Sequence, residues 1–479
     1  MNTNPKDTSG TTKGTVQDAH HGPWHHYPGR SSSLTLPIDG SSAPRVDELW
    51  LACEHATDTV ETRGVESVPP PVLRWVGNAV RPTALDYPFA CSAEGSHSPI
   101  DCALRVAVDD QNVSDGPKSP TPRGPLSATV LSAIARSPGS LGSTPPVSGV
   151  DALTDDDLQL ALYLCYELHY RGLVGTDPNW EWDPALIGFR AEFECAFLQR
   201  LRDEMGPPAR ARSSDVGDAL VALIDDAAGP SLSTFLLESG SLDQLREFCI
   251  HRSAYQLKEA DPHTFAIPRL SGGAKAAMVE IQYDEYGSGC AADMHSTLFA
   301  ATMTALDLNP AYGAYLDRLP GPTLATVNLA SLFGLHRRWR AALVGHLAVF
   351  EMTSVEPMGR YSRALAGMGI GPEGRRFYDV HVAADARHGA IALDRMVAGL
   401  IESEPHLGAD LLFGAAAVLM VEERFTFSLM NSWSAGRSSL IPQHVDWTGQ
   451  VSQLRQAPNE SPTTLPALCS PRAGRVGMF

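Results

Sequence analysis

The residues best suited to metal chemistry lie in the stretch FYDVHVAADARHGAIALDRM, residues 377–396. It contains His381, Asp385 and His388 at positions i, i+4 and i+7. A helix turns by about 100° per residue, so these side chains emerge on one face over roughly two turns. Two imidazoles and a carboxylate on one face are ligands that suit iron, manganese or zinc. An exposed polar stripe explains the same spacing, so other helices must decide between the two interpretations.

Glu351 lies in the helix predicted before this motif, and residues 367–374 form a predicted turn between them. Glu351 is then roughly 22 Å back from the turn along its helix, whereas residues 381–388 are roughly 10 to 21 Å forward along theirs. In an antiparallel pair the two sets lie at the same level. A glutamate that faces two histidines and an aspartate is an arrangement found in iron sites of helical bundles.

Two further predicted helices offer Glu259 and the pair of Glu285 and His295. Ten residues of regular helix would leave Glu285 and His295 roughly 80° apart in direction and about 15 Å apart along the axis. They share a site only if the helix is broken or widened between them. Residues 287–289, with the sequence GSG, are the expected place, because glycine and π-bulges mark functional distortions. The alternatives are a solvated acid at Glu285 and a hydrogen-bonded core histidine at His295.

The bulk properties exclude several classes of protein. A length of 479 residues leaves room for two or three domains, and 43% hydrophobic residues suffice for a sizeable core. The net charge of -18 argues against a nucleic-acid partner. We find no apolar run near the roughly 18 residues that cross a bilayer and no secretory signal, so no membrane partner is expected. The eight scattered cysteines predict reduced thiols in a cytoplasmic protein.

Composition and periodicity also predict the organisation of the chain. Alternating β-branched stretches are rare, which predicts a nearly all-α fold. The segments rich in Pro, Gly and Ser at both ends are predicted to be largely disordered. The predicted parts are a low-complexity segment (1–119), an N-terminal helical region (120–240), a helical bundle with the candidate ligands (241–445) and a C-terminal tail (446–479).

The candidate ligands resemble a known set. Glu259, Glu285, His295, Glu351 and the motif His381-x3-Asp385-x2-His388 are similar to the ligands of the heme-oxygenase-like diiron oxidases and oxygenases, also called iron-containing redox enzymes. The phrases ELHYRG, WEWDP, YQLKEADPH and EIQYDEYG extend the resemblance over residues 120–440. Order and spacing most resemble the N-oxygenating branch, in which an extra carboxylate, here Glu285, joins the site. Members of that branch also carry a cupin domain; we find no such pattern and expect no cupin chemistry.

The resemblance implies an all-α, heme-oxygenase-like bundle of about seven core helices with extra N-terminal helices, commonly a homodimer. It implies two Fe(II) ions as cofactors, O2 as co-substrate, a small-molecule substrate and room for an external electron donor. Glu351 is expected to bridge the irons and, with Glu285, to take part in catalysis. Glu259, His295 and His388 are expected to complete one iron site. Glu285, His381 and Asp385 are expected to complete the other.

Three functions compete at this point. The first is a non-heme iron-dependent oxidoreductase that uses O2 on an amine or amino acid, by N-oxygenation, or cleaves a C–C bond of an amino acid or fatty acid. The second is heme degradation on the same fold, which needs one axial histidine, so the surplus of acids argues against it. The third is a non-catalytic, metal-binding helical protein, whose ligands would leave no open position or apolar pocket.

Overall fold

The computed structural model describes residues 116–206, 211–227 and 229–442. Within these ranges the chain forms helices and turns without a strand, which confirms the all-α prediction. The predicted C-terminal tail and residues 1–115 of the predicted low-complexity segment lie outside the described residues. The helices are α1 (Pro125–Ile134), α2 (Asp156–Glu167), α3 (Pro184–Met205), α4 (Val216–Asp225), α5 (Leu232–Glu238), α6 (Leu242–Gln256), α7 (Asp261–Thr264), α8 (Gly272–Glu285), α9 (His295–Ala305), α10 (Gly321–Leu335), α11 (Arg340–Thr353), α12 (Val355–Gly367), α13 (Pro372–Ile391), α14 (Ala398–Ser403) and α15 (Gly408–Ser434).

Several helices begin where local sequence signals predict. Asp183 caps α3 by accepting a hydrogen bond from the Leu186 N–H, and Pro184 occupies the first helical position. Ser241 and Gln244 form a reciprocal capping box at the start of α6. These caps satisfy backbone N–H groups that have no partner inside a helix. They fix the start of α6, the helix that leads towards Glu259.

Helix α10 is the centre of the main hydrophobic core. It is buried along nearly its whole length and packs against α2 and α15. Its one amide side chain, Asn328, donates to both the backbone oxygen and the Oε1 atom of Gln159, each at 2.8 Å. This core joins residues from both sides of the predicted boundary at 240, such as Phe193 and Leu343. The boundary itself stays a prediction.

Helices α11 and α15 touch through their backbones. A Cβ atom added at Gly345 would lie 2.1 Å from the Leu411 carbonyl oxygen. One added at Gly414 would lie 2.0 Å from the Ala342 carbonyl oxygen. Real Cβ atoms do not approach other atoms so closely, so only glycine fits at either position. The two glycines therefore set the distance between α11, which carries Glu351, and α15.

The apolar character of α15 exceeds the expectation from sequence. Residues Pro405–Ser434 are long and apolar enough, by length and composition alone, to cross a membrane, so the expectation that no segment approaches that length was wrong. Half of the most apolar window of this segment is buried inside the structure. The burial arises because α15 packs against α10 and α11, and a core helix of a bundle has the same composition.

Candidate metal centre

Glu259 lies in a turn, not on a helix. The helix predicted to continue to residue 260 ends at Gln256, and Ala260 has a positive φ of 72°. A non-glycine residue in this region is uncommon and needs support from its surroundings. Lys258 supplies that support, because its buried Nζ lies 3.1 Å from Oε2 of the fully buried Glu167. The turn is thereby held in place, and Oε2 of Glu259 lies 3.6 Å from Nε2 of His381.

Glu285 and His295 meet because the helix between them is interrupted, which confirms the predicted break. Helix α8 ends at Glu285 and α9 begins at His295, with two short 3-10 turns between them. Residues 287–289 all have positive φ, and a Cβ atom on Gly287 would lie 2.5 Å from the backbone of Asp293. The chain therefore folds back on itself, and Nδ1 of His295 lies 2.7 Å from Oε2 of Glu285.

Glu351 reaches the histidine motif from the last turn of α11. The predicted two-helix arrangement was wrong in detail, because α12 starts at Val355 and is the helix that packs along α13. The break lies at Ser354, whose hydroxyl donates to Oδ2 of Asp385 at 2.5 Å. Oε2 of Glu351 lies 3.2 Å from Nδ1 of His388, and Oδ1 of Asp385 lies 3.4 Å from the same nitrogen.

The candidate ligands form two adjoining groups. In each group one ligand atom per residue lies within 4.8 Å of the others. The groups are Glu259, Glu285, His295 and His381, and Glu285, Glu351, Asp385 and His388. The structure thus brings together all the residues that the sequence singled out.

The expected division of the ligands between two metals was wrong. His381 lies with Glu259 and His295, whereas His388 lies with Glu351 and Asp385. The reason is that residues seven apart are about 10 Å apart along a helix, so the two histidines are level with different neighbours. Glu285, and not Glu351, is the residue common to both groups.

Hydrogen bonds orient the imidazoles of α13. Nδ1 of His381 donates to the Phe377 carbonyl oxygen at 2.7 Å, which leaves Nε2 to face Glu259. Nε2 of His388 lies 3.0 Å from Oδ2 of Asp284, while Nδ1 faces Glu351. Metal-binding histidines commonly donate their second N–H to a carbonyl or carboxylate in this way. Sequence reasoning missed Asp284, although it stands beside Glu285 at the end of α8 and was available as a second acid.

Burial and mutual repulsion change the acidity of these groups. Burial raises the pKa of Glu285 to about 7 and that of Glu351 also to about 7. Burial lowers the pKa of His381, but the neighbouring carboxylates outweigh it and raise that pKa to about 10. For His388 the hydrogen bonds to Asp385 and Glu351 likewise outweigh burial and raise its pKa to about 11. Burial and the charge of His381 lower the pKa of His295 to about 4. Acids and imidazoles thus share protons here, which a bound cation would replace.

The donor set fits iron. Among the candidate ligands, three buried atoms make no contact with hydrogen-bond geometry in the described residues: Oε2 of Glu259, Nδ1 of His295 and Oδ1 of Asp385. Buried polar atoms without partners are rare in folded proteins, and each of these three belongs to one of the two groups. Carboxylates and imidazoles on separate helices of a bundle are the ligands of dinuclear iron sites.

A cavity of about 310 Å³ adjoins the ligands. Glu259, Glu285 and Glu351 form part of its wall, together with apolar residues of α11 and α15 such as Leu347 and Leu419. Such a cavity is small, mostly apolar and adjacent to reactive groups, as small-molecule sites are. A small molecule in this cavity would therefore contact the ligand groups directly.

Part of the chain is similar to a known protein family. Residues 246–423 match the model of a family described as iron-containing redox enzymes, and this region contains all the candidate ligands. This match confirms the resemblance predicted from the ligand pattern over that part of the chain.

One relative is nitrosourea synthase from Streptomyces achromogenes subsp. streptozoticus, which is 24% identical over 190 residues. The match covers 39% of this chain and 40% of the relative, so the chain spans less than half the length of that protein.

Proposed function

We propose that this iron-containing redox enzyme is a non-heme diiron protein that uses O2 to oxidise a small molecule. The observation that carries the proposal is the pair of buried ligand groups that share Glu285 beside a cavity. Four carboxylates and three imidazoles would provide enough donors to hold two Fe(II) ions beside the cavity. Two such ions would supply the electrons for the reduction of O2, and the negative charge of the carboxylates favours their oxidised state.

The residues of the chain have distinct tasks in this proposal. Glu285 is the last residue of α8, next to residues 287–289, so no continuing helix restrains its backbone on that side. Glu351 and Asp385 are held on regular helices, and Ser354 fixes Asp385 by its hydrogen bond. The apolar wall of the cavity excludes bulk water from the ligands. Glu285 therefore adjusts during the reaction while the other ligands hold the metals.

An amine or amino acid is the proposed substrate, and N-oxygenation the proposed reaction. The relative is named for the formation of a nitrosourea, in which a nitrogen atom carries a nitroso group, and this supports oxygen transfer to nitrogen. A homodimer and an external electron donor are part of the same proposal. Oxidative C–C cleavage is the alternative outcome of the same test, and the products distinguish the two.

The decisive experiment is anaerobic loading of the full chain with Fe(II), followed by O2 and a panel of amines and amino acids. We expect two irons per chain, a new optical absorption after O2 addition, and a product that contains an N–O bond. His381→Ala and Glu351→Ala each remove a ligand from one group only, so each should lower the iron content to about one per chain with the helical content kept. His406→Ala, at an exposed histidine, should bind iron normally. A chain that binds heme with a Soret band, or binds iron without reacting with O2, contradicts the proposal.

A further inference from the structure

The cavity wall contains a partly buried ion pair in addition to the candidate metal ligands. Arg252 of α6 and Glu422 of α15 both line it. Nη1 of Arg252 donates to Oε1 of Glu422 at 2.9 Å, and Nη2 donates to Oε2 at 2.5 Å. The guanidinium also lies over the ring of Phe425, 4.3 Å from its centroid. The side chains are only 16% and 22% exposed, so the pair is a built feature of the cavity wall.

The ion pair retains unused hydrogen-bonding capacity. Its two bonds engage one N–H on each Nη atom of Arg252 and one lone pair on each oxygen of Glu422. Among the residues that the structure describes, neither side chain makes another hydrogen bond. The guanidinium therefore has N–H groups left for a carboxylate, and the Glu422 carboxylate has lone pairs left for an ammonium group.

Two amides connect this pair with the candidate metal ligands. Gln256 lies one helical turn after Arg252 on α6, so the two side chains emerge on the same face of that helix. Oε1 of Gln256 and Nε2 of Gln282 are buried and have no hydrogen-bond partner in the described ranges. Gln256 and Gln282 are 5% and 2% exposed and both line the cavity. An unpaired buried amide atom destabilises the fold, and a hydrogen bond from a ligand in the cavity would remove that cost.

The charges of the cavity wall select among ligands. At their end of the cavity Arg252 and Glu422 neutralise each other, so a zwitterion bound there adds no net charge. A simple amine or a fatty acid would leave one charge without compensation, which is costly at a buried site. Arg252 and Glu259 line the same cavity, so a ligand held at the pair can extend through the cavity towards the candidate metal ligands.

We propose that Arg252 and Glu422 bind the carboxylate and the ammonium group of an α-amino acid whose far end reaches the metal centre. Gln256 then accepts a hydrogen bond from the side chain of the bound amino acid, which extends towards the candidate metal ligands. The reaction at the far end rests on the proposed function, whereas the binding itself needs no metal. Experiments can therefore refute the amino-acid binding and the metal-dependent reaction independently of each other.

The test uses the full chain with metal removed by a chelator. The twenty standard α-amino acids are screened by thermal shift, and the affinity of the best is measured by calorimetry. The amine without its carboxyl group and the acid without its amino group are then compared with it; for lysine these are cadaverine and 6-aminohexanoate. We expect at least one amino acid to bind, and both truncated analogues to bind at least about tenfold more weakly.

Variants of the pair separate recognition from folding. Arg252→Gln and Glu422→Gln should each weaken amino-acid binding about tenfold or more while the iron content after loading stays that of the wild type. Arg340→Gln is the matched control, because Arg340 and Glu404 form a bidentate pair of similar burial outside the cavity lining, at 11% and 27% exposure.

If a Gln variant fails to fold, Arg252→Lys and Glu422→Asp replace it. Unchanged affinity in folded variants, equal binding of the truncated analogues, or no binding of any amino acid overturns the proposal. If an amino acid binds as expected but the chain neither takes up iron nor consumes O2, the proposed function alone is overturned.

Discussion

Asp284 and His388 are 104 residues apart in sequence, and Oδ2 of the aspartate lies 3.0 Å from Nε2 of the histidine. The contact turns Nδ1 of the same ring towards Glu351 and Asp385. Asp284 thus acts on the candidate metal centre through His388 without belonging to either ligand group. It is a positioning residue, and this role has a measurable consequence.

Asp284→Asn should weaken metal binding by about 10–100-fold, because the amide is a poorer acceptor and no longer fixes the imidazole. The affinity for Fe(II) or Co(II), measured by competition with a chelator, gives the readout. Asp284 also pairs with the exposed Arg387, so Arg387→Gln serves as the control and should retain the affinity of the wild type. Equal losses in both variants would assign the effect to the surface ion pair instead.

Glu285→Ala should keep at least one iron per chain but lose O2-dependent turnover. The variant leaves three donors in each group, which retain metal less firmly, and it removes the residue that the groups share. Iron analysis after anaerobic loading and product formation are measured on the same sample. Glu280→Ala removes an exposed acid of the same helix and should change neither quantity. Full turnover in Glu285→Ala would contradict the role proposed for it.

The metal-free protein should lose stability as the pH rises from about 6.5 to 9. The pKa values of Glu285 and Glu351 are raised to about 7, and those of His381 and His388 to about 10 and 11. The folded state therefore binds more protons than the unfolded state in this window, so stability falls with pH, by on the order of a few kcal/mol.

Urea unfolding in the presence of a chelator measures this slope. Added metal replaces the shared protons, so the stabilisation by metal should grow over the same pH range. His388→Gln should flatten the slope of the metal-free protein. The pKa of His295, lowered to about 4, makes no difference here, since that residue is neutral in both states above pH 6.5. A stability that rises with pH would refute the assignment.

Lys258→Met should destabilise the fold by about 3–5 kcal/mol, since it leaves the carboxylate of Glu167 buried without its cation. Lys258 also holds the turn that carries Glu259, so iron affinity should fall in the same variant. The double variant Lys258→Met/Glu167→Gln should recover part of the stability but not the affinity. Arg395→Gln, which breaks a pair that is 49% and 47% exposed, should cost less than about 1 kcal/mol by urea unfolding.

The sequence predicted the composition of the site better than its geometry. The spacing of His381, Asp385 and His388 placed them on one helix face, and the glycines after Glu285 marked the break, because both signals are local. The pairing of ligands was missed, since it depends on the level at which α13 meets its neighbours. The positive φ of Ala260 has no signal in its residue type.

Long-range contacts were the other gap. The contact of Arg252 with Glu422 joins residues 170 positions apart, and that of His388 with Asp284 joins residues 104 positions apart. Neither follows from periodicity or spacing, because each depends on how three or more helices pack. The break at Ser354 had a local signal in Pro357, which lies three residues on and has no N–H to donate along a helix. The contact of Ser354 with Asp385 joins two helices and had no such signal.

The backbone contact at Gly345 and Gly414 has a consequence for altering the substrate selectivity of the proposed enzyme. Main-chain contacts fix the distance between α11 and α15. A substitution at Leu347 or Leu419 should therefore change the shape of the cavity without moving Glu351. Substrate selectivity can therefore be altered one lining residue at a time while the candidate metal ligands keep their positions.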